Sequence, residues 1–347
     1  MEVQKLKRWF LQNKRDLPWR DSPTPYGVWI SEVMLQQTRV NVVIEYYLRW
    51  MELFPSVMAL AAAPLEKVIK AWEGLGYYSR ARRLHAAAKE LVNSYGGQVP
   101  AEESLLQEIS GLGPYTTSAI LSFAYHQKKA AVDGNVLRVM SRYRGIKEDV
   151  GRSHVIRGIR EEVEKILPEQ EPWVVMEAFI ELGALVCKKK PLCSKCPLRM
   201  SCKAYQEGAP EEYPRKKAKA ALIKLQRRVF VIYTESHILL RQEKQKGSLM
   251  EDLWEFPYIE NSSQEKEQMP SWLIEPFAGE LVSERELVDV VHHFTKYQVK
   301  LLPSLWKAKK KPPIRGCEWL SLESLQEKAF SSGHRKLVQQ ILTSLSL

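Results

Sequence analysis

Four of the five cysteines lie in one short stretch of this 347-residue chain, at Cys187, Cys193, Cys196 and Cys202, with the spacing C-x5-C-x2-C-x5-C. Thiolates at such close spacing are typical ligands of zinc or of an iron–sulfur cluster. A disulfide framework is the alternative. The amino terminus MEVQKLKRWF has no apolar leader core, so we expect a reducing compartment, where metal binding is favoured over disulfides. The compact run favours a [4Fe–4S] cluster, with zinc as the second interpretation.

Two carboxylates stand in surroundings that suit acid catalysis. Glu32 lies among apolar residues in a predicted helix that Thr24 and Pro25 open as N-cap and first residue and that runs through Val28–Gln37, and Asp133 precedes Gly134 at the start of another. Burial among apolar side chains raises a carboxyl pKa, so Glu32 is expected to be protonated, whereas Asp133 at a helix start is expected to be ionised. Each also has a purely structural interpretation, as an exposed helical glutamate and as an N-cap aspartate.

The composition indicates the class of partner. The chain has 52 Lys and Arg against 41 Asp and Glu, a formal net charge of +11, and the basic residues recur along its whole length. This favours nucleic acid as a partner, although a soluble basic protein without one is the alternative. Because no apolar run approaches the roughly 18–20 residues needed to cross a bilayer, we expect no membrane partner. A hydrophobic content of 45% excludes a largely disordered chain, and the length predicts two domains.

Helical periodicity dominates the first two thirds of the chain. Predicted helices cover residues 2–13, 28–37, 39–54 and 56–72 with breaks at Pro55 and Pro64, 102–109, a segment from Pro114, one after Asp133, and two within 154–186. In ISGLGPYTTSAI, Gly111 and Gly113 form the turn of a predicted helix–hairpin–helix, whose free backbone N–H groups can bind a phosphate. In GLGYYSRARRLH, Tyr77 stands beside several arginines, which suits a nucleic-acid surface or core packing.

After the cysteines the pattern changes. Residues 206–228 are polar, basic and marked by proline, which predicts a linker. Alternating hydrophobicity then predicts strands at Val229–Thr234, Ile238–Arg241, Leu281–Phe294, Gln298–Leu305 and Glu318–Leu320, followed by a helix over 334–345. The expected organisation is a mostly α domain over 1–205, the linker, and an α+β domain over 229–347.

Taken in order, these motifs resemble those of the helix–hairpin–helix DNA glycosylases that carry an iron–sulfur cluster, and within them the adenine DNA glycosylases of MutY type. The resemblance is carried by LPWR (17–20), SEVMLQQTRV (31–40), GLGYYSRARRL (74–84), GLGPYT (111–116), VDGNVLRV (132–139), ELGALVC (181–187) with the cysteines, and WEFP (254–257). It implies a helix–hairpin–helix catalytic domain with a [4Fe–4S] loop, followed by a Nudix-like α+β domain for mismatch recognition.

The resemblance also implies an activity. Such enzymes bind double-stranded DNA that contains adenine opposite 8-oxoguanine or guanine, extrude the adenine and hydrolyse its N-glycosidic bond. Glu32 matches the acid, Asp133 the stabilising carboxylate, and Tyr115, Asn135 and Glu177 the supporting residues. Gln37 and Tyr77 match the residues that fill the vacated stack. The remaining matches to adenine-pocket or DNA-contact positions are Arg15, Leu17, Trp19, Arg20, Thr38, Val40, Leu75, Gly111 and Gly113. We expect a monomer in the cytoplasm, associated with the nucleoid.

The chain departs from the family pattern in four places. The first cysteine gap has five residues instead of six, and Ser110 replaces a proline in the hairpin. The recognition motif Phe-Ser-His becomes Phe294-Thr295-Lys296, without the histidine, and no glutamate-rich Nudix helix follows WEFP. Pyrophosphate hydrolysis is therefore not expected.

Two other functions stay open at this point. An endonuclease III-like enzyme would also nick the strand, but its Schiff-base lysine would occupy the position of Tyr115, and a phenol cannot form an imine. A non-catalytic, zinc-stapled DNA-binding protein would not need both Glu32 and Asp133.

Overall fold

The structure, a computed structural model, describes residues 1–215, 221–260 and 269–344. The chain divides into two compact units. The N-terminal unit comprises Met1–Ala62 and Arg83–Lys219, and the C-terminal unit comprises Ala63–Arg82 and Ala220–Leu347. None of the helices in the described ranges is both long and apolar enough to span a membrane.

The regular secondary structure in the described part of the chain up to residue 215 is helical. In chain order the α-helices are α1 (Val3–Asn13), α2 (Pro18–Asp21), α3 (Pro25–Leu35), α4 (Val40–Leu53), α5 (Val57–Ala62), α6 (Leu65–Ala71), α7 (Ser79–Tyr95), α8 (Glu103–Glu108), α9 (Pro114–Phe123), α10 (Gly134–Arg144), α11 (Ser153–Ile166), α12 (Pro172–Leu185) and α13 (Lys203–Gln206). Helix α6 belongs to the C-terminal unit, and the boundary between the units falls within α7.

Local sequence explains where the central helices begin. The Thr24 side chain accepts a hydrogen bond from the Gly27 N–H, and Pro25 occupies the first turn of α3, as the sequence predicts. Helices α3, α9 and α12 are apolar on most sides, and they are correspondingly buried. Helix α3 packs on α9, while α12 packs on α1 and α10, and these contacts place Glu32 of α3 and Glu181 of α12 in the interior.

The C-terminal unit is built on a mixed sheet. Its described elements are β1 (Ile223–Tyr233), β2 (His237–Gln242), β3 (Trp254–Glu255), β4 (Tyr258–Glu260), β5 (Leu281–Glu286), β6 (Val290–Phe294), β7 (Tyr297–Ala308), β8 (Glu318–Ser321), and helices α14 (Ser271–Ile274) and α15 (Ser332–Ser344). Strands β1 and β7 pair in parallel along their length, and the other pairings are antiparallel. One hydrophobic core lies between the sheet and α15, and a second includes Leu273 of α14.

The main differences between predicted and observed boundaries lie in the C-terminal unit. Strand β1 begins at Ile223, inside the predicted linker over 206–228, because its pairing with β7 extends that far; residues 216–220 of that linker lie outside the described residues. The predicted strand Leu281–Phe294 is two strands, since the Val288 N–H donates to Gln340 of α15 and leaves the ladder. The terminal helix begins at Ser332, and residue 345 of its predicted range is not described. The domain limits 1–205, 206–228 and 229–347 stay a prediction.

Candidate active site and cysteine loop

A cavity of about 740 Å³ opens in the N-terminal unit. Its volume falls in the range of sites that take small molecules or single nucleotides. The walls come from α1, α2, α3, α9, α10 and α12, from Val40 of α4 and Ile156 of α11, and from connecting segments. Of the residues predicted from the sequence, it brings together Arg15, Leu17, Trp19, Arg20, Glu32, Gln37, Thr38, Val40, Tyr115, Asp133, Asn135 and Glu177.

Glu32 is a buried carboxyl group in this cavity. Its side chain lies on α3 with 7% of the residue exposed, and the Tyr115 hydroxyl donates a hydrogen bond of 2.5 Å to its Oε2. Loss of water raises the pKa of Glu32 to about 7, against the lowering effect of the Tyr115 hydrogen bond, and the negative charges of Asp133 and Glu177 raise it further. Burial and the neighbouring Glu32 hold the pKa of Tyr115 well above its usual range, so the phenol stays a neutral donor. Glu32 can therefore hold a proton near neutral pH.

Asp133 caps α10 and faces the same cavity. Its Oδ1 accepts hydrogen bonds from the N–H groups of Asn135 and Val136, both at 2.8 Å, and its Oδ2 accepts from Asn135 Nδ2 at 2.6 Å. Burial raises the pKa of Asp133, while the hydrogen bonds from Val136 and Asn135 act to lower it. The position of Asp133 at a helix start, which is all that the sequence showed, did not indicate the effect of burial. The structural and the chemical interpretations of Asp133 thus coincide, because the N-cap hydrogen bonds also orient the carboxylate.

A buried ion network forms another wall. Glu181 is fully buried, and both its oxygens are taken by arginines: Arg15 Nε lies 2.7 Å from Oε1, and Arg20 Nη2 lies 3.0 Å from Oε2. Arg20 Nε also contacts Glu177 Oε1 at 3.1 Å. Burial raises the pKa of Glu177, whereas the arginines keep the pKa of Glu181 below its usual range. Arg15 and Arg20 line the cavity, and their guanidinium groups are engaged with Glu181 and Glu177 within the protein.

The carboxylate end of the cavity connects to the cysteine loop, defined here as residues 187–202. Asn135 Oδ1 accepts a hydrogen bond of 2.7 Å from Arg138 Nη2. The Nε of Arg138 donates to the Cys187 carbonyl at 2.7 Å, and Nη2 also donates to the Gly183 carbonyl at 2.9 Å. A displacement of the cysteine loop would therefore move Arg138 and, through it, Asn135, whose side chain donates to Asp133.

The cysteine loop surrounds a set of mutually interacting thiols. Cys196 is partly buried, and loss of water together with the neighbouring Cys187, Cys202 and Cys193 raises its pKa to about 12. Arg142, with 2% of its surface exposed, donates to Cys187 Sγ at 3.3 Å, and it also binds the carbonyl groups of Lys188 and Lys189. Within the described residues, no three His, Cys, Asp or Glu side chains lie close enough together to hold a single metal ion. A donor set of sulfurs with a nearby guanidinium fits an anionic iron–sulfur group, because N–H groups directed at sulfur stabilise its charge.

Gly183 allows α10 and α12 to approach closely. A Cβ at this position would lie 2.5 Å from the Cβ and 3.1 Å from the Cα of Asn135. We expect Gly183→Ala to destabilise the protein by about 1–3 kcal/mol and to impair any chemistry that depends on Asp133, because the helices must separate and Asn135, which binds Asp133, must move. Gly158→Ala on α11 is the matched control, since a Cβ there meets nothing within 4 Å. Thermal unfolding should show a gain of about 0.5–1 kcal/mol for the control; equal effects of the two substitutions would contradict this packing argument.

The predicted helix–hairpin–helix is formed by α8, the turn 109–113 and α9. Gly111 has a φ of 94°, a conformation that favours glycine, and Gly113 precedes the first turn of α9. The Ser110 N–H donates to Glu90 Oε2 at 3.1 Å, a bond that the proline usual at this position would not provide.

Gln37 lies between α3 and α4. It is exposed at the cavity and has a positive φ of 60°.

Five predicted DNA-contact residues lie in the C-terminal unit. Leu75 is buried, whereas Tyr77 is 42% exposed and has a φ of 50°. Phe294 ends β6, and Thr295 and Lys296 form the exposed turn to β7, where Thr295 has a φ of 49°. Positive φ is costly for a β-branched residue, so this turn stores strain at a surface position.

The sequence did not single out Glu181 as a site residue, nor His126 and Trp173. Glu181 lies one helical turn after Glu177 on an apolar helix, and this signal could have indicated a buried charge. His126 and Trp173 both line the cavity, and their rings stack with centroids 3.9 Å apart. No sequence signal predicts that contact, because 46 residues separate the two.

Two domain families match this chain. The HhH-GPD superfamily of base excision DNA repair proteins matches residues 30–165, and the NUDIX domain matches residues 228–340. The adenine DNA glycosylase of Rattus norvegicus is 32% identical over 96% of this chain and 76% of its own length, and that of Homo sapiens is 34% identical over 96% and 72%. The chain belongs to the adenine DNA glycosylase family. A bacterial relative, from Buchnera aphidicola subsp. Baizongia pistaciae, is 34% identical over 70% of this chain and 69% of its own.

Solved structures agree with the fold of this family member. A thermostable thymine-DNA glycosylase superposes with a TM-score of 0.55 at 26% identity, covering 59% of this chain and 95% of its own. A trapped covalent intermediate of endonuclease III with DNA gives 0.52 at 24% identity, over 59% and 94%. The predicted fold class, a helical helix–hairpin–helix glycosylase domain followed by a Nudix-like domain, is confirmed.

Proposed function

We propose that this protein hydrolyses the N-glycosidic bond of adenine mispaired with 8-oxoguanine or guanine in double-stranded DNA. The observation that carries the proposal is Glu32, a buried carboxyl group with a pKa of about 7 that shares one cavity with the Asp133 carboxylate. Membership of the adenine DNA glycosylase family supports adenine as the base. The net charge of +11 suits a polyanionic partner.

The proposed reaction begins with extrusion of the adenine, which costs a few kcal/mol. Glu32 donates its proton to a ring nitrogen of the base, the bond between C1′ and N9 breaks, and the electron pair leaves with adenine. The sugar becomes positively charged, and the Asp133 carboxylate, held by Asn135 and the α10 N-terminus, stabilises it. Water then adds to C1′ and returns a proton to Glu32, so that atoms and charge balance.

Tyr115 orients this reaction in the proposal. Its hydroxyl donates to Glu32 Oε2, which leaves the other carboxyl oxygen of Glu32 to carry the acidic proton toward the base. Glu177, held by Arg20, adds a second carboxyl group beside the sugar site and increases the negative potential there. Arg15, Leu17, Trp19 and Val40 form the walls against which adenine would pack.

We propose that exposed residues with a positive φ recognise the mispair. Gln37 and Tyr77 would occupy the space that the extruded adenine leaves, and both have positive φ values. The turn Phe294–Lys296 would probe the opposite base. Lys296 has three donors and no acceptor, so it can bind a phosphate or a carbonyl oxygen but cannot replace an imidazole. We propose that discrimination between 8-oxoguanine and guanine is weaker here than with the histidine of the family motif.

The cysteine loop is proposed to hold a [4Fe–4S] cluster through Cys187, Cys193, Cys196 and Cys202. When bound, the cluster would supply a fixed anionic core for the loop and would take no part in bond cleavage. Arg142 would balance its charge, and Arg138 would transmit the loop position to Asn135. Lysines 188–190 would then be fixed as a cationic surface for DNA.

The cluster proposal predicts about four iron atoms per chain and a brown protein after anaerobic purification. Cys196→Ser should lose most of this iron, because it removes a partly buried ligand, and should weaken DNA binding as the loop loosens. Cys317→Ser, which lies in the C-terminal unit, is the matched control and should retain full iron content. Stoichiometric zinc without iron in the native protein would contradict the proposal.

A strand-nicking activity of the endonuclease III kind needs an amine at the sugar carbon. Tyr115 offers a phenol that is bonded to Glu32, and Lys14 is the lysine among the residues that line the cavity. We expect borohydride to trap little or no covalent protein–DNA adduct during adenine release. Efficient trapping that disappears in Lys14→Ala would contradict a purely hydrolytic mechanism.

A further inference from the structure

The segment 63–82, which contains Tyr77, packs as part of the C-terminal unit. Glu73 makes the central contact. Its Oε1 accepts hydrogen bonds from Arg335 Nε at 2.7 Å and from the Phe330 N–H at 3.0 Å, and its Oε2 accepts from Arg335 Nη2 at 2.9 Å. The pair is bidentate and mostly buried, with 14% and 20% of the side chains exposed. A bidentate arginine–carboxylate pair fixes orientation as well as distance.

A second attachment follows a few residues later. The buried Tyr78 hydroxyl donates to the Phe330 carbonyl at 3.0 Å, so both backbone polar groups of Phe330 bind the segment. The Phe330 ring is fully buried in the hydrophobic core beneath α15, and the Arg335 guanidinium lies 4.8 Å from its centroid. Arg82 Nη1 adds a bond of 2.7 Å to the Glu251 carbonyl. Residues on both sides of Tyr77 are therefore anchored to the core of the C-terminal unit.

The loop between these anchors, residues 73–78, contains three residues with positive φ, of which Tyr77 alone is not a glycine. Gly74 and Gly76 have φ values of 102° and 71°, and Tyr77 itself has 50°. Arg80, with 6% exposed, donates from Nη2 to the Leu75 and Gly76 carbonyl groups, and its guanidinium lies 5.7 Å from the Tyr77 ring centroid. The left-handed conformation of a non-glycine residue such as Tyr77 costs about 1–3 kcal/mol and persists only where surrounding contacts enforce it.

We propose that Glu73 and Arg335 are a positioning pair that holds Tyr77 ready to enter the base stack. The inference rests on the proposed function, since it needs Tyr77 to fill the space left by an extruded adenine. It gives the C-terminal unit a role in base extrusion in addition to its proposed recognition of the opposite base. Neither Glu73 nor Arg335 is a catalytic residue, because both act through the conformation of residues 73–78.

The test is a double-mutant cycle on the full-length protein with Arg335→Ala, Tyr77→Ala and the double variant. Single-turnover adenine release is measured together with the fluorescence of 2-aminopurine placed beside the mispaired adenine, which reports unstacking directly. Arg335→Ala should lower both signals about tenfold, and the double variant should stay within about twofold of Tyr77→Ala, because residues that act as a unit are not additive. Arg227→Ala, which removes the Arg227–Glu260 pair of the same unit, is the matched control and should leave unstacking unchanged.

Arg335→Lys keeps the charge but loses the bidentate geometry, so an intermediate loss of unstacking is expected even if Arg335→Ala folds poorly. Multiplicative losses in the double variant, or equal losses for Arg335→Ala and Arg227→Ala, would overturn the inference. If the native protein releases no adenine, the proposed function is wrong. The 2-aminopurine fluorescence of the three variants still shows whether Arg335 and Tyr77 act together in unstacking the base.

Discussion

Glu32→Gln is expected to lower single-turnover adenine release by a factor on the order of 10²–10⁴, with affinity for the mispaired duplex nearly unchanged. The amide keeps the size of the side chain and can still accept the Tyr115 hydrogen bond, but it cannot supply an acidic proton. Because burial raises the pKa of Glu32 to about 7, the native rate should be constant just below that pH, as long as Asp133 stays ionised, and should fall about tenfold per pH unit above it.

Glu52→Gln on the exposed side of α4 is the matched control, and it should retain both the rate and the pH profile. The Glu32→Gln variant should lack the fall in rate above pH 7, because the titrating group is gone. A variant with near-normal turnover, or with the native pH dependence, would show that another group protonates the base.

Glu181→Gln is expected to destabilise the N-terminal unit by about 3–5 kcal/mol. Glu181 is fully buried and pairs with Arg15 and Arg20, so the substitution leaves Arg15 without its carboxylate partner and Arg20 with Glu177 alone. For a unit of this size the midpoint of thermal unfolding should fall by roughly 6–20 °C. Adenine release should also slow, because Arg20 positions Glu177 and both arginines line the cavity.

The matched control for Glu181 is Glu162→Gln, which removes the partner of Arg144 in an exposed ion pair. An exposed pair contributes about 0–1 kcal/mol, so this variant should unfold almost as the native protein does. If Glu181→Gln shifts unfolding no more than the control, the network is not a structural support of the cavity.

The sequence predicted the local features of the site because their causes are local. Thr24 and Pro25 specify the start of α3, and Asp133 with Gly134 specifies the start of α10. The apolar company of Glu32 in α3 predicted its raised pKa. The order of the family motifs also indicated which residues lie together in one cavity. Hydrophobic periodicity alone does not indicate this.

The features that the sequence did not predict depend on distant partners. Glu181 meets Arg15 across 166 residues, and Glu73 meets Arg335 across 262. No periodicity or capping signal encodes such pairings, since they follow from tertiary packing. The early start of β1 at Ile223 has the same origin, because pairing with β7 overrides the polar composition of that stretch.

The most direct test of the central claim is adenine release by the native protein from three otherwise identical duplexes. These carry adenine opposite 8-oxoguanine, adenine opposite guanine, and thymine glycol opposite adenine, and free base and strand integrity are measured in single turnover. We predict release of adenine from the first two duplexes with the strand left intact, and no excision from the third. Excision of thymine glycol with strand nicking, or no adenine release from either mispair, would contradict the proposed function.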